Sequence, residues 1–203
     1  MGAPVAVLLL AAGRSARMGG RDKLLEEIDG QPLLRRMARR ALECGAPLFV
    51  TLPAGDRKRA GAICDLPVQV VPVADPAEGM AAALRAGIAA LPPRTEGALI
   101  MLADMPEIAT GDLRRLLAAF AGAGGRRIVR ACGPDGTPGN PVVLPARLFA
   151  ALGQLRGDCG ARGLVHAEEV IAVPLPVGHA TTDLDTPEDW AAWRRCSARC
   201  ERR

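Results

Sequence analysis

Val5-Ala6-Val7-Leu8-Leu9-Leu10-Ala11-Ala12-Gly13-Arg14-Ser15-Ala16-Arg17-Met18-Gly19-Gly20-Arg21-Asp22-Lys23 joins an unbroken apolar run to a loop of glycines and cations. The run Val5–Ala12 has eight residues, far too few to span a bilayer. No Lys or Arg precedes it and Arg14 and Arg17 follow at once, which is the wrong charge order for a secretion signal. It reads as a buried strand. Continuous rather than alternating apolarity places that strand between two covered faces, the mark of a parallel α/β sheet. The loop from Gly13 to Lys23 packs three glycines, one serine and four cations into eleven residues. It leaves the carboxyl end of the strand, where open α/β sheets hold their ligands. Glycines let backbone N–H groups approach phosphate oxygens, and Arg and Lys supply matching charge. The loop lacks the Gly-Lys-Ser/Thr of a Walker A motif and does not fit Gly-x-Gly-x-x-Gly. An anion site is the functional reading; a solvated basic turn is the bland one.

Outward from this stretch, Leu48–Leu52, Val68–Val73 and Ala98–Leu102 are further short apolar runs. Helical patterns separate them at Pro32–Cys44, Arg57–Cys64 and Gly79–Leu91. In the first, Leu33, Leu34, Met37, Ala38, Ala41 and Leu42 keep the 3.6-residue period, with Pro32 at the start and Gly45 past the end. Strands alternating with amphipathic helices predict a Rossmann-like, three-layer α/β sandwich with a mainly parallel sheet. After Leu102 the rhythm changes. A helix over Gly111–Ala123 leads to strands at Arg126–Ala131 and Pro141–Leu144 around Pro134-Asp135-Gly136, which predicts a small β-hairpin insertion. Short helices at Ala146–Leu152 and Ala161–Ala167 and a strand at Val170–Pro174 follow. Thr186-Pro187-Glu188-Asp189 then opens the last helix with a cap, a proline and an acidic first turn. No linker interrupts the chain, so 1–193 reads as one domain and 194–203 as a basic tail.

Composition narrows the function. The 203 residues carry 26 Lys and Arg against 22 Asp and Glu, a formal charge of +4. Residues 194–203 hold five Arg and one Glu, so the tail carries the whole excess and the body is neutral. With no Tyr, two Trp and three Phe there are few rings to stack on bases, which argues against a nucleic-acid binder. The six cysteines form no Cys-x-x-Cys pair. Cys196 and Cys200 could share a helical face, but only His166 and His179 could complete a zinc set, and reduced thiols are the plainer reading. A cytoplasmic protein with no membrane segment is expected.

Further candidate chemistry lies at strand ends. Leu99-Ile100-Met101-Leu102-Ala103-Asp104-Met105-Pro106 delivers Asp104 to the same sheet edge as the loop. A carboxylate there is costly unless something binds it, and Mg²⁺ facing a nucleotide is a natural partner; capping the next helix is the alternative. Alternation sets Asp183 and Asp185 on one face before the last helix, and spacing leaves them open between metal ligands and helix-end charges. Asn140 in Gly139-Asn140-Pro141 and the Gly157-Asp158-Cys159-Gly160-Ala161-Arg162 turn are weaker candidates. Cys159 has no His near it in sequence, and neither Gly-x-Ser-x-Gly nor His-Glu-x-x-His occurs.

Taken in order, these segments resemble the MobA-like NTP transferases, which complete the molybdenum cofactor. Leu10 to Gly19 with Lys23 fits the family opening Leu-Ala-Ala-Gly-x-Ser-x-Arg-Met-Gly…Lys. Gly79-Met80…Leu84-Arg85-Ala86-Gly87, Asp104-Met105-Pro106, Gly139–Pro141, Gly157–Arg162 and Asp183–Asp189 resemble its later elements. The resemblance spans residues 5 to about 193, and its nearer branch is similar to the molybdenum cofactor cytidylyltransferases. It implies a fold like that of the nucleotide-diphospho-sugar transferases. It also implies a Mg²⁺-dependent transfer of CMP from CTP to the phosphate of molybdopterin, with pyrophosphate leaving.

By that resemblance Arg17, Lys23 and Asp104 are catalytic, and Asp104 and Asp185 hold Mg²⁺. Leu10, Ala11, Ala12, Gly13, Arg14, Ser15, Gly79, Met80 and Leu84 bind the nucleotide; Asn140, Asp158 and Arg162 bind the acceptor. The chain departs from the cytidylyl pattern at Ala81, Ala83 and Asn140. Its Gly19-Gly20-Arg21-Asp22-Lys23 ending resembles the guanylyl branch, whereas Ala11-Ala12-Gly13 resembles the cytidylyl one. GTP or another NTP, or a different phosphorylated acceptor, is therefore the alternative. A reading of another class is a molybdenum cofactor carrier or maturation chaperone, with a molybdoenzyme or its maturation factor as partner.

Overall fold

A computed structural model describes residues 4–157, 161–166 and 168–200. The opening run forms β1 (Val5–Leu10), an interior strand of a seven-stranded sheet. On one side of β1 lie β4 (Leu48–Pro53) and β5 (Gln69–Val73); on the other lies β6 (Gly97–Leu102). These four strands are parallel, with Val7 opposite Leu48 and Leu99. Beyond β6 come β8 (Pro138–Pro145), β7 (Ile128–Cys132) and β9 (Val170–Pro174). β8 runs antiparallel to both neighbours, and β7 pairs with β9 in parallel.

Both faces of β1 are buried, as its unbroken apolarity requires. Val7, Leu9 and Ala11 join one core; Ala6, Leu8, Leu10 and Ala12 join the other. The first core is closed by α1 (Leu33–Leu42), α4 (Thr110–Gly122) and α7 (Pro187–Cys200) through Leu34, Met37, Leu116, Phe120 and Trp190. α2 (Arg57–Ala62) lies on that face too, followed by buried Ile63. The second core is closed by α3 (Met80–Ala89), α5 (Phe149–Leu152) and α6 (Arg162–His166) through Ala82, Leu84, Leu152 and Val165. Full burial of each Leu or Met contributes about 1.5–3 kcal/mol, so the α1 face alone is a large share of a marginal total.

The predicted hairpin is present, but it is no appendage to the sheet. β8 is eight residues long and pairs along one edge with β7 and along the other with β6, so it becomes an interior strand. A separate ribbon, β2 (Glu27–Ile28) with β3 (Gln31–Pro32), was not expected from the sequence. Its turn, Asp29-Gly30, has φ of 51° and 72°, the two positive values of a tight hairpin turn. α7 continues without a break from Pro187 into the basic stretch, as far as Cys200. Among the described residues no helix is long and apolar enough to cross a membrane.

Candidate active site

The loop after β1 owes its shape to local hydrogen bonds. Ser15 takes a left-handed φ of 51°, and Gly19 and Gly20 follow at 59° and 87°. The Met18 N–H donates to the Ser15 carbonyl at 3.0 Å, while the Met18 side chain is fully buried and pins the loop to the core. At the far end, the Lys23 N–H donates to Ser15 Oγ at 3.2 Å and the Leu24 N–H donates to Asp22 Oδ1 at 3.0 Å. Ser15 Oγ in turn donates to Asp22 Oδ1 at 3.1 Å.

Lys23 is thereby aimed inward, with only 8% of its surface exposed. Its Nζ donates to Asp104 Oδ2 at 2.5 Å and to Asp185 Oδ1 at 2.6 Å. Asp104 lies two residues past the end of β6, and its carbonyl accepts the Leu184 N–H at 3.0 Å, tying the end of β6 to the Asp183–Asp185 segment. Asp185 is fixed from the other side by a reciprocal cap on α7. Thr186 N donates to Asp189 Oδ2 at 2.8 Å, Asp189 N donates to Thr186 Oγ1 at 3.2 Å, and Asp185 N also reaches Asp189 Oδ2 at 3.2 Å. The exposed Arg17 guanidinium donates to Asp185 Oδ2 at 2.6 Å.

The charges shape one another. Burial alone would lower the Lys23 ammonium, but Asp104 and Asp185 outweigh it and hold the group above its ordinary range, so it stays charged. Burial pushes the Asp183 carboxyl up, and the charges of Asp185 and Asp104 push the same way. Asp104 Oδ1 is buried with no hydrogen-bond partner. Among the described residues no set of three or more His, Cys, Asp or Glu stands together as a metal cage. Two carboxylates with an unused buried oxygen nonetheless fit Mg²⁺, which takes one or two carboxylates and completes its shell with phosphate oxygens and water.

These groups border a cavity of about 480 Å³. It is lined by the loop from Leu10 to Arg17 and by Lys23, Asp104, Asp183 and Asp185. Gly79, Met80 and Ala83 at the start of α3 close it opposite the loop. Every expected nucleotide residue therefore lines the cavity except Leu84, which is 1% exposed and packs in the core beneath; Ala83, one position earlier, faces the space. Asn140 does not line it: its N–H donates to the Ala180 carbonyl at 2.9 Å on β8. Asp158 lies outside the described residues, as does the side chain of Arg162, the first residue of α6. The three expected acceptor residues are thus not brought together within what the structure describes. Sequence reasoning missed Pro76 and Ala77 on the cavity wall, and Arg59 behind the loop. In the structure Asp56 caps α2, its Oδ1 accepting from Lys58 N and Arg59 N, and such a cap does not announce where the Arg59 side chain points.

Comparison with known proteins places the chain in a family. Residues 7–171 match the model of the MobA-like NTP transferase domain. A molybdenum cofactor guanylyltransferase of Pseudomonas paraeruginosa is 31% identical over 188 residues, covering 91% of this chain and 92% of that protein. The crystal structure of Rv0371c from Mycobacterium tuberculosis H37Rv superposes with a TM-score of 0.82 at 28% identity, covering 95% of this chain and 98% of that one. A second structure of that protein, in complex with manganese, gives 0.79 at 27% identity over 93% and 97% of the two chains.

Proposed function

The chain belongs to the MobA-like NTP transferase family and is a nucleotidyltransferase; from that premise we propose that it moves GMP from GTP to the terminal phosphate of molybdopterin, releasing pyrophosphate. The observation that carries the reading is Lys23 clamped between Asp104 and Asp185 beside a glycine loop that lines the same cavity. A triphosphate entering there meets loop N–H groups, Lys23 and Arg17, which together can neutralise the charge that grows on departing pyrophosphate. An oxygen of the acceptor phosphate attacks the α-phosphorus in line. The bond from the α-phosphorus to the bridging oxygen breaks, and its electron pair leaves with pyrophosphate. Asp104 and Asp185 would hold a divalent cation, Mg²⁺ or the manganese seen in the mycobacterial relative. Such an ion supplies positive charge to phosphate oxygens when bound. The chain's own share is positioning and fixed charge, because phosphoryl chemistry asks for little covalent help.

GTP takes the place of the CTP expected from the sequence because the full-length relative named above is a guanylyltransferase. The Gly19-Gly20-Arg21-Asp22-Lys23 ending supports the same base. CTP remains the second reading on one observation: Ala12 lines the cavity, and its methyl holds a base farther from the backbone than glycine would. The test is pyrophosphate release from each of GTP, CTP, ATP and UTP with purified molybdopterin and Mg²⁺ or Mn²⁺. Release with GTP alone supports the proposal, and release with CTP alone moves it to the second reading. Silence with all four, despite nucleotide binding, points to another acceptor or to a cofactor carrier.

A further inference from the structure

Arg59 is the most deeply buried cation among the described residues: 3% exposed on α2, it sends its guanidinium beneath the loop that follows β1. Its Nη1 donates to the Ala11 carbonyl at 2.6 Å, at the point where the chain leaves β1. Its Nε and Nη2 donate to the two Asp22 oxygens at 2.7 and 2.9 Å, and Nη2 also reaches Ser15 Oγ at 3.3 Å. One rigid fork therefore fastens the beginning, the left-handed bend and the end of the 11–22 loop. Asp22 is the residue before Lys23. Arg59 itself does not line the cavity.

We infer that Arg59 is a positioning residue for the transfer, holding the loop so that its N–H groups and Lys23 converge on the triphosphate, an inference that rests on the nucleotidyltransfer reading above. A guanidinium suits this place because its planar donors reach four acceptor atoms on three residues at once, which a lysine ammonium cannot match. The pairing also explains Asp22 without giving it a ligand role. Both of its oxygens are engaged, by Arg59, Ser15 and Leu24. Loosening a loop by about 1 Å is enough to cost on the order of 100-fold in rate.

The test compares Arg59→Met, Arg59→Lys and the pair Asp22→Asn with Arg59→Met. Each full-length variant is measured for its urea midpoint, for binding of tripolyphosphate, and for kcat and KM with the accepted nucleotide. Arg59→Met is expected to lower kcat about 100-fold and weaken tripolyphosphate binding about 10-fold or more; Arg59→Lys is expected to fold and lose about 10-fold in kcat. The double variant, which removes the guanidinium together with its Asp22 partner, is expected to regain most of the urea midpoint but neither kcat nor tripolyphosphate affinity. Recovery of all three together would make Arg59 a stabilising residue only and overturn the inference. Undiminished tripolyphosphate binding and kcat in Arg59→Lys and in the double variant would do the same. Wild-type protein that binds neither nucleotide nor tripolyphosphate would remove the underlying reading and the inference with it.

Discussion

Asp22 and Asp104 are both carboxylates near cations, yet their surroundings set opposite expectations. Burial would raise the Asp22 carboxyl, but the hydrogen bonds and charge of Arg59, with the Leu24 N–H and Ser15 Oγ, hold it below its ordinary 3.8. A carboxyl depressed in the fold binds fewer protons there than in the unfolded chain, so its stabilisation is complete above 3.8 and is lost as pH falls through the lower folded value. Asp22→Asn is therefore expected to flatten the part of the acid-unfolding curve below about pH 4; an unchanged slope in urea titrations across that range would contradict it. Asp104 instead spends one oxygen on Lys23 and leaves the other unpaired. Asp104→Asn is expected to lower pyrophosphate release by about 100- to 1000-fold, while its melting temperature stays close to wild type because Lys23 keeps Asp185. A large fall in melting temperature would mean that Asp104 serves the fold first.

Where elements cross, glycines set how near they come, among them Gly87 and Gly139. A Cβ on Gly87 of α3 would lie 2.4 Å from both Cδ atoms of Leu8, a fully buried β1 side chain with nowhere to turn. A Cβ on Gly139 of β8 would lie 2.0 Å from the Ala180 carbonyl oxygen, which is backbone already bonded to Asn140 N. Overpacking against a side chain costs about 1–3 kcal/mol. Backbone relieves the clash less readily, so Gly139→Ala is expected to destabilise more than Gly87→Ala in urea titrations; the reverse order would show that the β8 crossing is the softer one. The same elements show what sequence pattern can carry. α1, α3 and the strands β1, β4 and β6 were legible because apolar period and cap residues are local. The place of β8 between β6 and β7 was not, since a hairpin's turn fixes its own pairing and says nothing about its outer edge. Leu84 was assigned to the cavity and Ala83 was not, a slip of one residue that turns a side chain by about 100° on a helix.

Across the molecule, the site exists only because distant segments meet at one sheet edge. Lys23 meets Asp104 across 81 residues and Asp185 across 162, and Arg17 meets Asp185 across 168. The loop and Asp104 were legible as neighbours because each follows the carboxyl end of a parallel strand, whereas spacing alone left Asp185 open. Arg59 was not legible, because its role comes from tertiary packing of α2 under the loop. A ligand that bridges these pieces must stabilise the whole chain. By mass action, a nucleotide with its divalent cation at 100 times its Kd adds about 2.7 kcal/mol to folding. At roughly 2–4 °C per kcal/mol for a chain of this size, the melting temperature should rise by about 5–11 °C. GTP with Mg²⁺ or Mn²⁺ should give that rise, and the cation alone should give little, because two carboxylates already held by Lys23 offer it a poor site. Asp185→Asn should keep the rise caused by nucleotide alone and lose the part that depends on the cation. A full cation-dependent rise in Asp185→Asn would remove that residue from the metal site, leaving it as the partner that orients Arg17 and Lys23.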